Sequence, residues 1–206
     1  MKKIVKLLLG CVAAAGIIFP ASAQITLSLS PSSQTNVVNG LDSYNLIISG
    51  LKGSTDYNGP ALGGFTVQLD FDSTIASAQS VAFGSELNLS GGDYQYSDLS
   101  TSGQIYLSEI SYDLPAALEQ AQSSSFILAT IEVQGLALGT TPLTFDLAQT
   151  SLTDENGNTL DLIKANSGSL TVAPVPEPGT WALASLALGL VALRRRTAVR
   201  TGHDNR

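Results

Sequence analysis

GFTVQLDFD, residues 64–72, alternates strictly between apolar and polar side chains. Successive side chains of a β-strand point to opposite faces, so a period of two indicates a strand with one buried face and one solvated face. The pattern predicts a strand over 64–72 with four side chains directed toward a core: Phe65, Val67, Leu69 and Phe71.

Strand patterns recur along the chain and predict about nine strands in all. Residues 25–29, 44–48 and 143–147 alternate in the same way, and 126–133 is a more continuously apolar run. Strands also fit 75–83 and 104–110. Two more flank Asn156-Gly157, a dipeptide that favours a primed hairpin turn because both central residues need positive φ.

One short helix interrupts the predicted strands. Asp113 can cap it, Pro115 lies in its first turn, and Leu114, Leu118 and Ala121 share a face. Short strands separated by Gly, Ser, Asn and Asp turns, without alternating long helices, predict an all-β fold, an antiparallel β-sandwich.

The charge between the two ends of the chain is strongly acidic. Residues 24–173 contain fifteen acidic residues and only two basic ones, Lys52 and Lys164, which gives a net charge of −13. Such a domain repels nucleic acid and anionic lipid, and it favours cations, basic partners or neutral glycans. The alternative is that the acidity only maintains solubility.

The sequence predicts no enzyme and no catalytic residue. The one cysteine, Cys11, and the one histidine, His203, both lie outside residues 24–173. Triad catalysis and histidine- or thiolate-ligated zinc are therefore excluded for this stretch. No glycine-rich phosphate loop is present either.

Carboxylates leave two weaker alternatives open. Asp70 and Asp72 would lie about 6.6 Å apart on one strand face, which permits a calcium site or a glycosidase pair. Asp72 can equally satisfy the turn that follows it. The segment 154–158 also resembles a calcium loop, but its glycine is at the fourth position instead of the sixth, which favours a hairpin. The sequence thus predicts no cofactor, with Ca²⁺ as the alternative.

Tyr94 and Tyr96 are the candidate glycan contacts. They follow Gly91-Gly92-Asp93 and can present two rings on one face. A tyrosine ring offers apolar area with a polar tip, as sugar binding requires. Against this interpretation, 24–173 contains no tryptophan, and loop tyrosines often only cover a sandwich edge.

The N-terminal stretch predicts a secretory signal peptide over 1–23. Lysines precede an apolar region, and Ala21-Ser22-Ala23 places the cleavage between Ala23 and Gln24. The alternative is a lipoprotein signal with Cys11 as the lipidated residue, but few apolar residues precede that cysteine.

The C-terminal stretch predicts one transmembrane helix over 181–193. These thirteen uncharged residues would span about 20 Å, short of the roughly 30 Å bilayer core, and they end at Arg194, Arg195 and Arg196. The positive-inside rule then places 197–206 in the cytoplasm and the sandwich, 24–173, outside.

The tail VPEPGTWALASLALGLVALRRR resembles the PEP-CTERM sorting signal of Gram-negative bacteria. The resemblance covers Pro176, Glu177 and Pro178, the apolar helix and the arginines, within 174–196. It implies processing by a membrane-embedded exosortase near the Pro-Glu-Pro motif, after export through the translocon. It also implies a final location at the cell surface or in the matrix, where such proteins accompany exopolysaccharide. The ten residues after Arg196 depart from the family pattern.

GGFTVQLDFDSTIASAQSVAFGSEL, together with FILATIEVQGLALGTTPLTF and SLTDENGNTLDL, resembles cohesin-like domains. That family has a jelly-roll sandwich, shares its fold with certain carbohydrate-binding modules, and binds dockerin domains in cellulosomes. The resemblance implies a non-catalytic module that binds a protein or associates with exopolysaccharide. A glycan-binding module is the alternative, and an acid-pair polysaccharide hydrolase is the weakest interpretation.

Overall fold

A computed structural model describes residues 24–51 and 60–175 of the chain. These residues form thirteen strands and one helix. In chain order they are β1 Ile25–Ser30, β2 Ser33–Val37, β3 Leu41–Ser49, β4 Leu62–Asp70, β5 Ala76–Phe83, β6 Tyr94–Asp98, β7 Gln104–Ile110, α1 Pro115–Ala121, β8 Ser125–Gly135, β9 Gly139–Phe145, β10 Ser151–Asp154, β11 Thr159–Leu160, β12 Leu162–Asn166 and β13 Gly168–Ala173.

Several sequence predictions lie outside the described residues. They are the signal peptide with its cleavage site, the Pro-Glu-Pro motif, the helix over 181–193 and the cytoplasmic tail over 197–206. Within the described part of the chain, no helix is long and apolar enough to cross a membrane.

The strands form two sheets packed face to face. One sheet has five strands in the order β12-β1-β3-β8-β5. The other has eight, in the order β11-β10-β4-β9-β13-β2, with β7 paired to β4 and β6 paired to β7. Most pairs are antiparallel, as predicted, but β1 with β12 and β13 with β2 are parallel. The all-β sandwich with one short helix is confirmed.

The inner faces of the two sheets supply one apolar core. Its fully buried members include Leu46 and Ile48 from the five-stranded sheet and Val67 and Leu69 from the other. Tyr44, on β3, is also fully buried, and its hydroxyl donates to the carbonyl of Ser169 on β13 at 2.8 Å. Burial raises the pKa of Tyr44. This hydrogen bond ties the two sheets together through the core.

Four strands were not predicted, namely β2, β6, β12 and β13. They have only five or six residues each, β2 consists mostly of Ser, Gln, Thr and Asn, and β6 follows a Gly-Gly turn. Two predicted boundaries also shift. Strand β4 ends at Asp70, so Asp72 is not on the strand, and β9 ends at Phe145, which leaves Leu147 exposed.

The predicted cap of α1 is wrong. The residue that caps the helix is Leu114, with Pro115 directly after it, and it makes no side-chain capping bond. Asp113 points elsewhere, because its carboxylate accepts hydrogen bonds from the amide of Leu89 and the hydroxyl of Ser90. Leu118 is buried, whereas Leu114 is 75% exposed and Ala121 is exposed.

The predicted hairpin around Asn156-Gly157 is present, but its turn differs. Gly157 has φ of 83°, whereas Asn156 does not have positive φ. The Asp154 carboxylate instead accepts hydrogen bonds from the amides of Asn156 and Asn158, which closes the loop between β10 and β11. Hydrogen bonds to the Asp154 carboxylate therefore stabilise this hairpin loop in place of the expected primed turn.

Candidate binding face

The outer face of β6, β7, β4 and β10 contains three of the four ligand candidates that the sequence analysis named within the sandwich: Tyr94, Tyr96 and Asp70. The inward positions of β4, β7 and β10 are buried, so their alternate positions point to solvent, whereas Gln95 and Ser97 on the inner side of β6 are exposed as well. We call this surface the tyrosine face. Cross-strand pairing arranges it in four rows: Tyr94, Ile110, Gly64 and Thr153; then Tyr96, Ser108, Thr66 and Ser151; then Asp98, Tyr106 and Gln68; then Gln104, Asp70 and Thr144.

Both predicted glycan contacts lie on this face. Tyr94 is 47% exposed and Tyr96 is 44% exposed, and they occupy alternate positions of the edge strand β6. The ring of Tyr96 meets that of Tyr106 edge to face, with 6.1 Å between centroids and 66° between planes. Such a contact holds a ring in place while leaving much of it accessible.

One end of the tyrosine face is apolar. Ile110 on β7 is exposed, and Tyr112 and Leu114 beyond it are 69% and 75% exposed. Asp113 lies between them and binds the loop that carries Leu89, another exposed apolar residue. Hydrogen bonding from Ser90 and Leu89 lowers the pKa of Asp113, so its carboxylate is charged while it holds this loop. We call Tyr94, Ile110, Tyr112 and Leu114 the apolar end.

A shallow hollow lies at the apolar end, where β4 has a glycine, Gly64. Gly64 leaves a space of about 110 Å³ between Ile110 on β7 and Thr153 on β10. A β-carbon at Gly64 would lie 3.1 Å from the Thr153 hydroxyl and 3.0 Å from the Glu109 carbonyl. The glycine therefore keeps the hollow open.

The other end of the face is acidic. Asp98 ends β6 and Asp70 ends β4, while Asp146 follows β9 and donates its amide to the carbonyl of Gln68 at 3.0 Å. The carboxylate of Asp98 accepts a hydrogen bond from the amide of Ser100, and hydrogen bonding to Ser100 lowers its pKa. We call Asp70, Asp98 and Asp146 the acidic end.

Asp72, the second carboxylate of the predicted pair, belongs to a turn. Its side chain accepts hydrogen bonds from the Thr74 hydroxyl at 2.6 Å and the Thr74 amide at 2.8 Å, which lower its pKa. Asp70 accepts from the Gln68 side chain at 3.0 Å instead. Throughout residues 24–51 and 60–175, no three His, Cys, Asp or Glu side chains group so as to hold a metal ion. The turn interpretation accounts for Asp72.

A buried acid beneath the face was not predicted. Glu109 is 1% exposed and points inward from β7, where it accepts a hydrogen bond from the Gln95 side chain on β6 at 2.8 Å. Burial, and then hydrogen bonding and charge repulsion from Asp93, raise the pKa of Glu109 to about 8. One oxygen of Asp93 is buried and has no hydrogen-bond partner among the described residues. A proton retained by Glu109 supplies a donor for this oxygen.

Residues 174–196 match the family model of the PEP-CTERM protein-sorting motif. The match spans the Pro-Glu-Pro residues, the apolar run and the three arginines, so the resemblance seen in the tail is confirmed. Among curated proteins, no relative of the chain was found.

The sandwich is similar in structure to cohesin domains. CaCohA2 from Clostridium acetobutylicum aligns with a TM-score of 0.57 at 20% identity, covering 74% of this chain and 92% of that one. The third cohesin of ScaC from Acetivibrio cellulolyticus, solved with the ScaB dockerin, has a TM-score of 0.56 at 15% identity, covering 72% and 99%. A type II cohesin from the cellulosome of the same organism has 0.55 at 15%, covering 72% and 95%. The cohesin-like fold is confirmed, and at these identities the likeness concerns the fold alone.

Proposed function

We propose that this chain is a non-catalytic surface protein whose sandwich binds a protein partner through the tyrosine face. The observation that carries the proposal is the concentration of exposed apolar side chains there. Of the thirteen exposed large apolar residues in the described part of the chain, six lie between positions 89 and 114: Leu89, Tyr94, Tyr96, Ile110, Tyr112 and Leu114. Exposed tyrosines and aliphatic residues on one side of a domain are typical of an interface.

The outer face of the five-stranded sheet has a different character. Its hydrogen-bonded polar pairs include Thr130 with Asn45 at 2.9 Å, and Ser49 with Ser125 at 2.9 Å. Its exposed apolar residues include Leu41, 57% exposed, and Ile127, 41% exposed, which lie toward opposite ends of the pairing between β3 and β8. Paired polar side chains gain little by leaving water, so this sheet is the weaker candidate for an interface.

The cohesin of similar fold that was solved with a dockerin supports a protein as the partner. The sorting motif supports a destination at the outer surface, with residues 24–173 exported behind the signal peptide over 1–23. We propose that an exosortase then cuts near Pro176-Glu177-Pro178, and that the product reaches the surface or matrix of a Gram-negative cell that makes exopolysaccharide.

Photo-crosslinking tests the binding proposal on the full chain in producing cells. A photoreactive residue replaces Tyr96 on the tyrosine face or, as the matched control, Ser28 on the outer face of β1. We expect position 96 to give a product of discrete mass that contains peptides of a second protein by mass spectrometry and that position 28 does not give. Equal yields at the two positions, or no product at position 96, would contradict the proposed function.

A glycan partner is the second candidate function, and the two exposed rings of Tyr94 and Tyr96 favour it. The same crosslinking experiment separates the two candidates. A product from position 96 whose added mass is removed by periodate and which contains no peptide of a second protein would identify a polysaccharide, and it would replace the protein-binding proposal.

The sorting proposal predicts that a Pro176→Ala, Pro178→Ala double variant stays in the membrane. With a tag directly after Ala23, we expect wild-type protein to appear outside the inner membrane in a host that carries an exosortase. The variant should remain in the membrane fraction at the unprocessed mass. A Thr197→Ala variant is the control and should be released like the wild type. Equal release of the double variant would show that release does not depend on the Pro-Glu-Pro motif and would contradict the sorting proposal.

A further inference from the structure

The tyrosine face is polarised along the direction of its strands. The apolar end and the acidic end lie at opposite ends of β6, with Tyr94 at one and Asp98 at the other. Four residues of extended strand separate these two, which corresponds to about 13 Å. Between the two ends the rows carry hydroxyl and amide side chains, including Ser108, Thr66 and Gln68.

The rest of the domain has almost no positive charge that could offset the acidic end. Residues 24–51 and 60–175 contain fourteen acidic residues and one basic residue, Lys164. Lys164 lies on β12, at the edge of the other sheet. Within the described residues, nothing on the tyrosine face neutralises Asp70 and Asp98. Asp113 carries charge beside the apolar end, but the three carboxylates of the acidic end make that end the more negative of the two. The face therefore attracts cationic groups chiefly at one end and apolar groups at the other.

We propose that the partner segment is basic and amphipathic, with apolar side chains seated on the apolar end and lysines or arginines about 13 Å away at the acidic end. This inference rests on the proposed function and specifies the chemistry of the partner. A helix rises about 1.5 Å per residue and one of its faces repeats at i, i+4 and i+8, so the two groups would be about eight residues apart in a helical partner. A second copy of this chain is a poor occupant, because its own surface is strongly acidic.

Two synthetic helical peptides serve as the probe. One carries leucines at one end and two lysines about eight residues further on, on the same face of the helix, and its isomer has the same composition with the lysines three residues from the leucines. Binding to the full chain in detergent is followed by fluorescence anisotropy at low and high salt. We expect the first peptide to bind roughly fivefold more tightly than its isomer, with the difference shrinking as salt rises.

Two double variants test which carboxylates cause the difference in affinity between the two peptides. Asp70→Asn with Asp98→Asn should abolish the preference for the eight-residue spacing. Glu132→Gln with Asp161→Asn removes the same charge from residues on or next to the five-stranded sheet, and should preserve the preference. The proposal is overturned if the isomers bind equally, if both double variants lose the preference alike, or if the face variant abolishes self-association of the chain instead. If position 96 crosslinks a protein while the peptides show no preference, the proposed function stands and only this inference fails.

Discussion

Replacing Glu109 with glutamine is expected to remove most of the loss of stability that the wild type shows between about pH 5 and pH 8. The pKa of Glu109 rises from 4.5 to about 8 in the folded chain. Between these values the unfolded chain releases a proton that the folded chain retains, so the free energy of unfolding falls as pH rises. The fall is at most about 1.4 kcal/mol per pH unit, or roughly 3 kcal/mol over the window.

Glutamine preserves the contacts of the protonated acid. Its amide oxygen can accept from the Gln95 side chain, and its amide nitrogen can donate to the buried oxygen of Asp93. At pH 8 the variant should therefore be more stable than the wild type, whereas at pH 4 the two should be close. Urea unfolding followed by circular dichroism, repeated across the pH range, measures both slopes.

Two further variants test whether Glu109 and its neighbour Asp93 cause the fall in stability with pH. Asp93→Asn should lessen the slope, because the hydrogen bond and the charge of Asp93 both raise the pKa of Glu109. Glu132→Gln makes the same chemical change at an exposed glutamate on β8, and it should leave the slope unchanged. A Glu109→Gln slope equal to that of the wild type would show that Glu109 does not hold the proton.

This acid pair also lies close to the proposed interface. Gln95, which binds Glu109, stands between Tyr94 and Tyr96 on β6. In the described part of the chain, β6 hydrogen-bonds to β7 alone. The strand that presents the two tyrosines is therefore held on one side only, and the Gln95 to Glu109 hydrogen bond adds to that pairing.

Periodicity predicted the sandwich because it reports which side of a strand meets the core. The pattern at 64–72 identified β4 and its buried residues, Phe65, Val67 and Leu69. The same reasoning could have found Glu109, which follows Ile105 and Leu107 at inward positions of β7. A glutamate in that register is the available signal of a buried acid.

Contacts between distant segments could not be read from local sequence. Asp113 has the sequence signature of a helix cap, yet it binds the loop at Leu89, twenty-four residues earlier. Asp72 appeared to continue the strand pattern, but β4 ends before it and its amide donates to the Thr141 hydroxyl. Likewise, the pairing that sets Tyr94 beside Ile110 depends on how β6 returns along β7. Local propensity competes with such tertiary contacts, and here the tertiary contacts prevail.

Replacing Gln122 with alanine is expected to lower the free energy of unfolding by about 3 kcal/mol, because each buried polar group left without a partner costs roughly 1–3 kcal/mol. Gln122 is 1% exposed and follows α1 directly. Its side chain accepts from the amide of Leu62 and donates to the carbonyl of Leu62, both at 2.7 Å, and donates to the carbonyl of Glu86 at 3.2 Å.

The side-chain amide of Gln122 thus acts as a neighbouring strand would toward the first residue of β4. With alanine at position 122, the amide and the carbonyl of Leu62 are buried without these partners. Glu86, the third partner, lies in the loop that leads to β6. Gln120→Ala is the matched control, since Gln120 is exposed on the same helix and should change stability by less than about 0.5 kcal/mol. Urea unfolding at pH 6 compares the three proteins. Equal midpoints for the Gln122 and Gln120 variants would mean that water replaces these hydrogen bonds, and that β4 begins without help from the helix.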